Sequence, residues 1–230
     1  MEVKILNEAG YEEAKYGFSL SFKDRNIPMK DWWCSEMLDI DCSDSGFCCP
    51  DDCKREKRVH HYNNVLQKSS SRDGGHNKFL EHIMVWVDIE ASLEFWKQFD
   101  TYRVGVSKQS ESSMHTLDKR NITVEDFDLT EDELKIECIA GPTDIGDKNP
   151  TLDHILGLYL NYISMMSPRL KSKLLPQGYK QRREVVLSYK VLRHIISQRN
   201  GHKLPEWKMF INEIYSQVQY PELLPVITND

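Results

Sequence analysis

The chain has 230 residues, enough for one domain with a full core. Lys and Arg total 30 against 36 Asp and Glu, giving a formal charge of -6, with a pI near 5.8 and a mean hydropathy of -0.57. An acidic total excludes broad electrostatic binding to a nucleic-acid polymer, and no apolar run is long enough for a bilayer, so neither nucleic acid nor membrane is an expected partner.

The start, MEVKILNEAGYEEAKYG, lacks the charged-then-apolar pattern of a signal peptide, which predicts a cytoplasmic protein. Residues 2–6 read as a short first strand. From about 24 to 72 the chain is polar and turn-rich, with one helix predicted near Tyr62 to Leu66. Within this stretch, residues 30–72 read as a cysteine-rich, loop-rich insertion in an otherwise single domain spanning 1–230. Cys34, Cys42, Cys48, Cys49 and Cys53 crowd there, followed by His60 and His61. Cys42, Cys48, Cys49 and Cys53 are candidate zinc ligands, with a zinc-dependent partner role as one reading and reduced surface thiols as the other. The spacing contains no clean CxxC pair, so no metal is assigned. Cys138 reads as a core thiol in a helix.

His82 to Ala91 alternates Ile83, Val85, Val87 and Ile89, predicting a strand with both faces partly covered. Ser92 then caps a helix carrying Leu93, Phe95, Trp96 and Phe99. Val104 to His115 lacks helical periodicity and reads as a loop or irregular strand. Thr130-Glu131-Asp132-Glu133 is a capping box, predicting a helix to about Ala140. Thr151 to about Met166 is a second such helix, and Pro205 starts a last one running to about Tyr215.

Leu175 to Arg199 reads as one long helix dense in cations, ended by Asn200-Gly201. At helical spacing Val185, Tyr189, Leu192, Ile195 and Ile196 share one side, and Arg182, Arg183, Lys190, Arg193 and His194 the other. Arg199 falls on the apolar side, where a guanidinium needs an anion or several carbonyl acceptors. In an acidic chain such a stripe points to an anionic ligand, with phosphate leading. The alternative is a solvated helix face, with Arg199 in a salt bridge to Asp88 or Glu206.

Two segments resemble the flavin-dependent thymidylate synthases. Gly75-His76-Asn77-Lys78-Phe79-Leu80-Glu81-His82 is similar to that family's GHxSPxEH stretch. From there the spacing runs without a gap through Gln98 to Thr101-Tyr102-Arg103, where the family has Arg-His-Arg. Lys108 to Ser112 is similar to the family's following Asn-Glu-x-Ser after a one-residue shift, and Ser113 and Met114 offer no equivalent of its next arginine. The second segment, Leu175-Pro176 to Arg199, is similar to the family's LP…N-x-R…(H/N)…R stretch, with Ser188 and Lys190 standing for asparagine and arginine and His194 and Arg199 matching directly.

The resemblance implies an α+β fold, helix-rich, with a central mostly antiparallel sheet flanked by helices. It implies transfer of a one-carbon unit from methylenetetrahydrofolate to C5 of dUMP through reduced FAD, with NADPH as reductant, in a homotetramer. His76, Lys78, Arg103, Ser188, Lys190 and His194 would hold the flavin. Gln98, Thr101, Gln109, Ser110, Glu111, Ser112 and Arg199 would hold the nucleotide, with Arg199 as the catalytic group favouring the enolate-like pyrimidine. Arg182 joins the nucleotide set from its place on the basic face alone. Because Thr101 and Tyr102 replace arginine and histidine, a catalytically altered or inactive nucleotide- or flavin-binding relative is the alternative, as is a C5-pyrimidine hydroxymethylase. His76 after two glycines also suits a turn cap, and Gln98 a solvent-facing helix position.

Overall fold

A computed structural model describes residues 1–22, 64–72, 75–138 and 149–227. The cysteine-rich residues proposed for zinc, and the segment around 24–60, lie outside these. Among the described residues no group of three or more His, Cys, Asp and Glu side chains could hold a metal ion, and no helix is long and apolar enough to cross a membrane.

The chain is α+β, with a four-stranded antiparallel sheet and nine α-helices among the described residues. The elements run β1 (Glu2–Ala9), α1 (Tyr11–Ser19), α2 (64–70), β2 (Met84–Ser92), α3 (Leu93–Phe99), β3 (Val106–Ser110), α4 (Ser113–Lys119), α5 (Glu131–Leu134), α6 (Leu152–Ser164), α7 (Pro168–Lys173), β4 (Lys180–Ser188), α8 (Tyr189–Arg199) and α9 (Pro205–Gln217). The strand order is β1-β2-β4-β3.

Strand β2 follows its sequence pattern. Val85, Val87, Ile89 and Ala91 are buried while Met84, Trp86, Asp88 and Glu90 are half-buried, so both faces are at least partly covered. Ser92 ends it in extended conformation, and its hydroxyl accepts from Phe95 N, opening α3.

The predicted helix over 175–199 is two elements. Lys180–Ser188 is strand β4, and only Tyr189–Arg199 is helical. Gln181, Val185 and Leu187 are buried and Arg183 between them is half-buried, all at odd positions, while Arg182 and Glu184 are exposed, which is the period of a strand. Arg183 hides this alternation in the sequence. Its guanidinium lies 4.3 Å from the centre of the Trp96 ring, so a charged residue takes an inward position. Ser188 then begins α8 by accepting from Val191 N at 3.4 Å.

Two other segments depart from expectation. The 104–115 stretch holds β3 and the short helix α4. The capping box at Thr130 forms as read, but α5 stops at Leu134. Beyond it the chain bonds to the segment before α6, with Leu152 N donating to Ile136 O and Cys138 N to Pro150 O. Cys138 is therefore non-helical and half-buried rather than a core thiol.

The chain forms two compact units. The first comprises Met1–Lys4, Val87–Val185 and His202–Ile214, and the second Ile5–Trp86, Val186–Gly201 and Tyr215–Asp230. In the first, Phe95, Trp96, Phe99, Trp207 and Phe210 form an aromatic core, each at most 1% exposed. A second cluster there joins Leu117, Phe127, Leu156, Leu160, Ile163 and Tyr179. In the second unit Leu80, Ile83, Val85, Tyr189, Leu192 and Ile195 are fully buried. Gly10 is required between β1 and α1. Its φ is +92°, and a Cβ there would lie 2.0 Å from the carbonyl oxygen of His82.

Candidate functional site

In the second unit, Gly75 turns the chain at φ +100°, a conformation other residues rarely adopt. Exposed His76 follows directly, and exposed Lys78 opens the one-turn 3-10 helix Lys78–Glu81. That turn is anchored by Phe79 and Leu80, which are buried. Glu81 at its end accepts a hydrogen bond from Lys190 Nζ in the first turn of α8. Next to it, Tyr189 N donates to Ile83 O at 2.9 Å. The start of α8 is therefore tied to the 75–83 segment, joining stretches that lie about a hundred residues apart in sequence.

Lys190 and His194 stand four residues apart on α8 and so share a face, with His194 exposed. The Lys190 hydrogen bond holds the Glu81 carboxyl below its ordinary range, and Lys78 and His82 add to this through space. Several groups able to carry positive charge thus surround one exposed carboxylate, leaving a local surplus of positive charge. Ser188 is buried with its oxygen used in the helix cap. Arg199 is the last residue of α8 and half-buried. Arg193 is drawn away from the expected cation face, donating to Leu223 O at 3.0 Å.

The first unit treats its candidates differently. Gln98 on α3 is half-buried and receives the indole N–H of Trp207 on Oε1 at 2.8 Å, so it is not a solvent-facing residue. Thr101 donates its hydroxyl to Gln98 O at 2.7 Å. Tyr102 is buried, edge-on to Phe99 and Trp207. Arg103 alone of that triplet presents a cation, and it is exposed.

Gln109 and Ser110 end β3 in exposed positions, and Ser112 is the exposed N-cap residue of α4. Glu111 is bound to β4, its N–H donating to Arg182 O at 3.1 Å and its carboxylate accepting from Arg182 N at 3.4 Å.

Arg182 corrects the sequence reading. It projects from a strand, and its guanidinium meets Glu2 at 3.2 Å, Glu90 at 3.4 Å and Asp88 at 3.8 Å. Three carboxylates about one guanidinium leave negative charge locally, which opposes phosphate. Arg183 pairs with Asp100 at 3.0 Å, as Lys108 does at 2.8 Å. Burial alone would raise the Asp100 pKa, but the hydrogen bonds from Lys108 and Arg183 prevail and lower it. The carboxylates considered for Arg199 have other partners, Asp88 in Arg182 and Glu206 in the Ser92 hydroxyl.

From sequence, Glu81 reads equally as an ordinary strand contact or a site residue, and Trp207 is not singled out. Glu81 sits in the quoted 75–82 motif, so its spacing was a signal. Nothing in sequence spacing marks Trp207, which lies 109 residues from Gln98.

An exposed group of ammonium and imidazole side chains suits recognition of phosphate oxygens, by charge-assisted hydrogen bonds. No protein-family model matches the chain, and no curated protein matches it. Solved structures do. One is thymidylate synthase X from Helicobacter pylori with FAD and dUMP, at TM-score 0.56 and 15% identity, covering 96% of this chain and 97% of that one. A flavin-dependent thymidylate synthase from Helicobacter pylori complexed with FAD and dUMP has TM-score 0.60 and 16% identity, covering 100% of each chain. A UMP/dUMP methylase, PolB from Streptomyces cacaoi bound with 5-Br dUMP, has TM-score 0.53 and 13% identity, covering 97% and 91%. The likeness is one of fold.

Proposed function

We propose that the chain is a flavin-dependent thymidylate synthase-like enzyme that transfers a one-carbon unit from methylenetetrahydrofolate to C5 of dUMP, with FAD as cofactor and NADPH as reductant. The observation that carries this is the Glu81–Lys190 and Ile83–Tyr189 connection, which sets the two family-like segments side by side with cations exposed. The fold shared along the whole chain with enzymes solved with FAD and dUMP supports it.

The donor set of the second unit fits the phosphates of a dinucleotide. On this reading Lys78, Lys190 and His194 hold them, with His76 and Ser188 as further contacts. Bound reduced flavin supplies the one-carbon carriage and hydride chemistry. The chain's own residues bind, orient and polarise. Gln98 and the 109–112 segment hold the nucleotide. A guanidinium such as that of Arg199, donating to pyrimidine carbonyl oxygens, stabilises negative charge there and makes C5 more nucleophilic. The whole chain would act as one domain, assembled as a homotetramer, which light scattering on purified protein tests.

Release of tritium from 5-tritiated dUMP, in the presence of FAD, methylenetetrahydrofolate and NADPH, tests the reaction. The expected outcome is release that Arg199→Ala abolishes; no release from the wild-type chain contradicts the catalytic reading. Product analysis separates methyl from hydroxymethyl transfer.

A second reading has its own observation. Thr101 spends its hydroxyl on a backbone carbonyl, and Tyr102 is packed in the aromatic core. Neither supplies the cation that the resembling signature carries there. A nucleotide- or flavin-binding protein without turnover follows, and binding of dUMP without tritium release would select it.

A further inference from the structure

Helix α6 (Leu152–Ser164) is apolar on two sides. Leu156, Leu160 and Ile163 are buried in the cluster that also holds Phe127 and Tyr179. Ile155, Leu158 and Tyr162, with Met165 just past the helix end, are exposed instead. They follow one another at steps of three, four and three residues, so they form one stripe along the helix. Tyr162 is 67% open and Met165 77%, and the neighbouring Met166 is exposed as well. A helix apolar on nearly every side is ordinarily covered on more than one. The steps are also those between the a and d positions of a heptad, the pattern of a helix that packs lengthwise on another helix.

We propose that this outer stripe of α6 is an interface between two copies of the chain, each laying its α6 along the other's about a two-fold axis. No charged residue belongs to the stripe, so a partner recognised by charge does not fit it. The acidic total of the chain opposes the anionic surface of a membrane. What fits is a second apolar helix face of the same length, and α6 of another copy supplies one. Among the described residues no other helix exposes more than one or two large apolar side chains. Two-fold symmetry lets the stripe bury itself, because such an interface uses the same patch on both sides. The area agrees. At about 200 Å² for a large side chain fully open, the stripe and Met166 present about 500 Å². Left open, that is at the upper end of the apolar patches monomers carry. Paired, it buries about 1,000 Å², where specific interfaces begin, and the exposed side chains of His154 and Asn161 on its flank add to this. None of the residues assigned to flavin or nucleotide lies on α6, so association through it is independent of that reading.

Size-exclusion chromatography with light scattering on the full chain tests this, at one chain concentration, in wild type and in two charged variants, Leu158→Lys/Tyr162→Lys and Leu158→Glu/Tyr162→Glu. Wild type should have an even multiple of the 27.0 kDa chain mass. Each charged variant should run at half the wild-type mass, because like charges across the axis raise the dissociation constant about a hundredfold or more. An equal mixture of the two should return to the wild-type mass, which a chain that had failed to fold would not do. Met209→Lys, at an exposed apolar position on α9, should keep the wild-type mass. A wild-type chain that stays at 27.0 kDa up to about 0.1 mM would overturn the proposal. So would charged variants of wild-type mass, or a mixture that remains at half of it.

Discussion

The two units place their cations in opposite circumstances. In the first, Arg182 and Arg183 are met by carboxylates from other elements, and Asp100 serves both Arg183 and Lys108. In the second, Lys190 meets the carboxylate of Glu81, the one it pairs with among the described residues, with Lys78 and His82 within electrostatic reach of it. A count of basic residues treats both groups alike. Their counter-charges separate them: Arg182 is outnumbered by carboxylates, whereas the group around Glu81 keeps the positive surplus that a phosphate needs. In the first unit Arg183 serves packing, its guanidinium lying over the Trp96 ring.

The comparison can be pressed hardest at the aromatic core of the first unit. Phe99→Ala, at a site 0% exposed and surrounded by Trp96, Tyr102, Trp207 and Phe210, should cost about 3–5 kcal/mol. Urea denaturation measures it, and a loss below about 1 kcal/mol would show that this packing does not hold the unit.

In the second unit, Tyr189 donates to Glu8 at 3.0 Å and accepts from Tyr220 N at 3.3 Å. Tyr189→Phe keeps the ring and should cost about 1–2 kcal/mol by removing the hydroxyl that links half-buried Glu8 to the Tyr220 N–H. Ser92→Ala, which removes the α3 cap, should cost about 1 kcal/mol. Equal losses in all three variants would erase the ranking.

Acidity sharpens the contrast further, because Glu8 in the second unit and Asp100 in the first titrate with opposite sign. Burial raises the Glu8 pKa, against the Gln219 N–H and Tyr189 O–H bonds that oppose the rise. Its folded pKa lies above its unfolded one, so its contribution is full at low pH and is lost as pH rises through the raised value. The lowered Asp100 contributes above the ordinary carboxylate range and loses that contribution as pH falls through its folded pKa. Melting temperatures from about pH 3 to 7 should show Asp100→Asn flattening the acid-side loss and Glu8→Gln flattening the decline above it. The same slope in wild type and both variants would remove the assignment.

Much of the fold was legible in the sequence where a local signal ends each element. Ser92 separates an alternating strand from a helix, Thr130 and Glu133 form a reciprocal cap, and Pro205 opens the last helix. The 175–199 stretch failed because cations fill positions that alternate in β4, and a guanidinium on an indole looks polar in sequence while it packs like a core group. The spacing of Ser188, Lys190, His194 and Arg199 survived this error, since all but the capping serine lie on α8. Arg182 could not be judged from sequence at all. Its partners Glu2, Asp88 and Glu90 come from strands β1 and β2, which only the sheet brings beside it.

Binding of FAD tests the central claim most directly, that the cations set around Glu81 form a phosphate site. Quenching of flavin fluorescence should give saturable binding to the wild-type chain, weakened about a hundredfold or more in Lys78→Glu/Lys190→Glu, the scale of two charge-assisted hydrogen bonds. In Arg182→Glu the affinity should stay at the wild-type level. Undiminished binding in the double reversal, or none in the wild type, would contradict it.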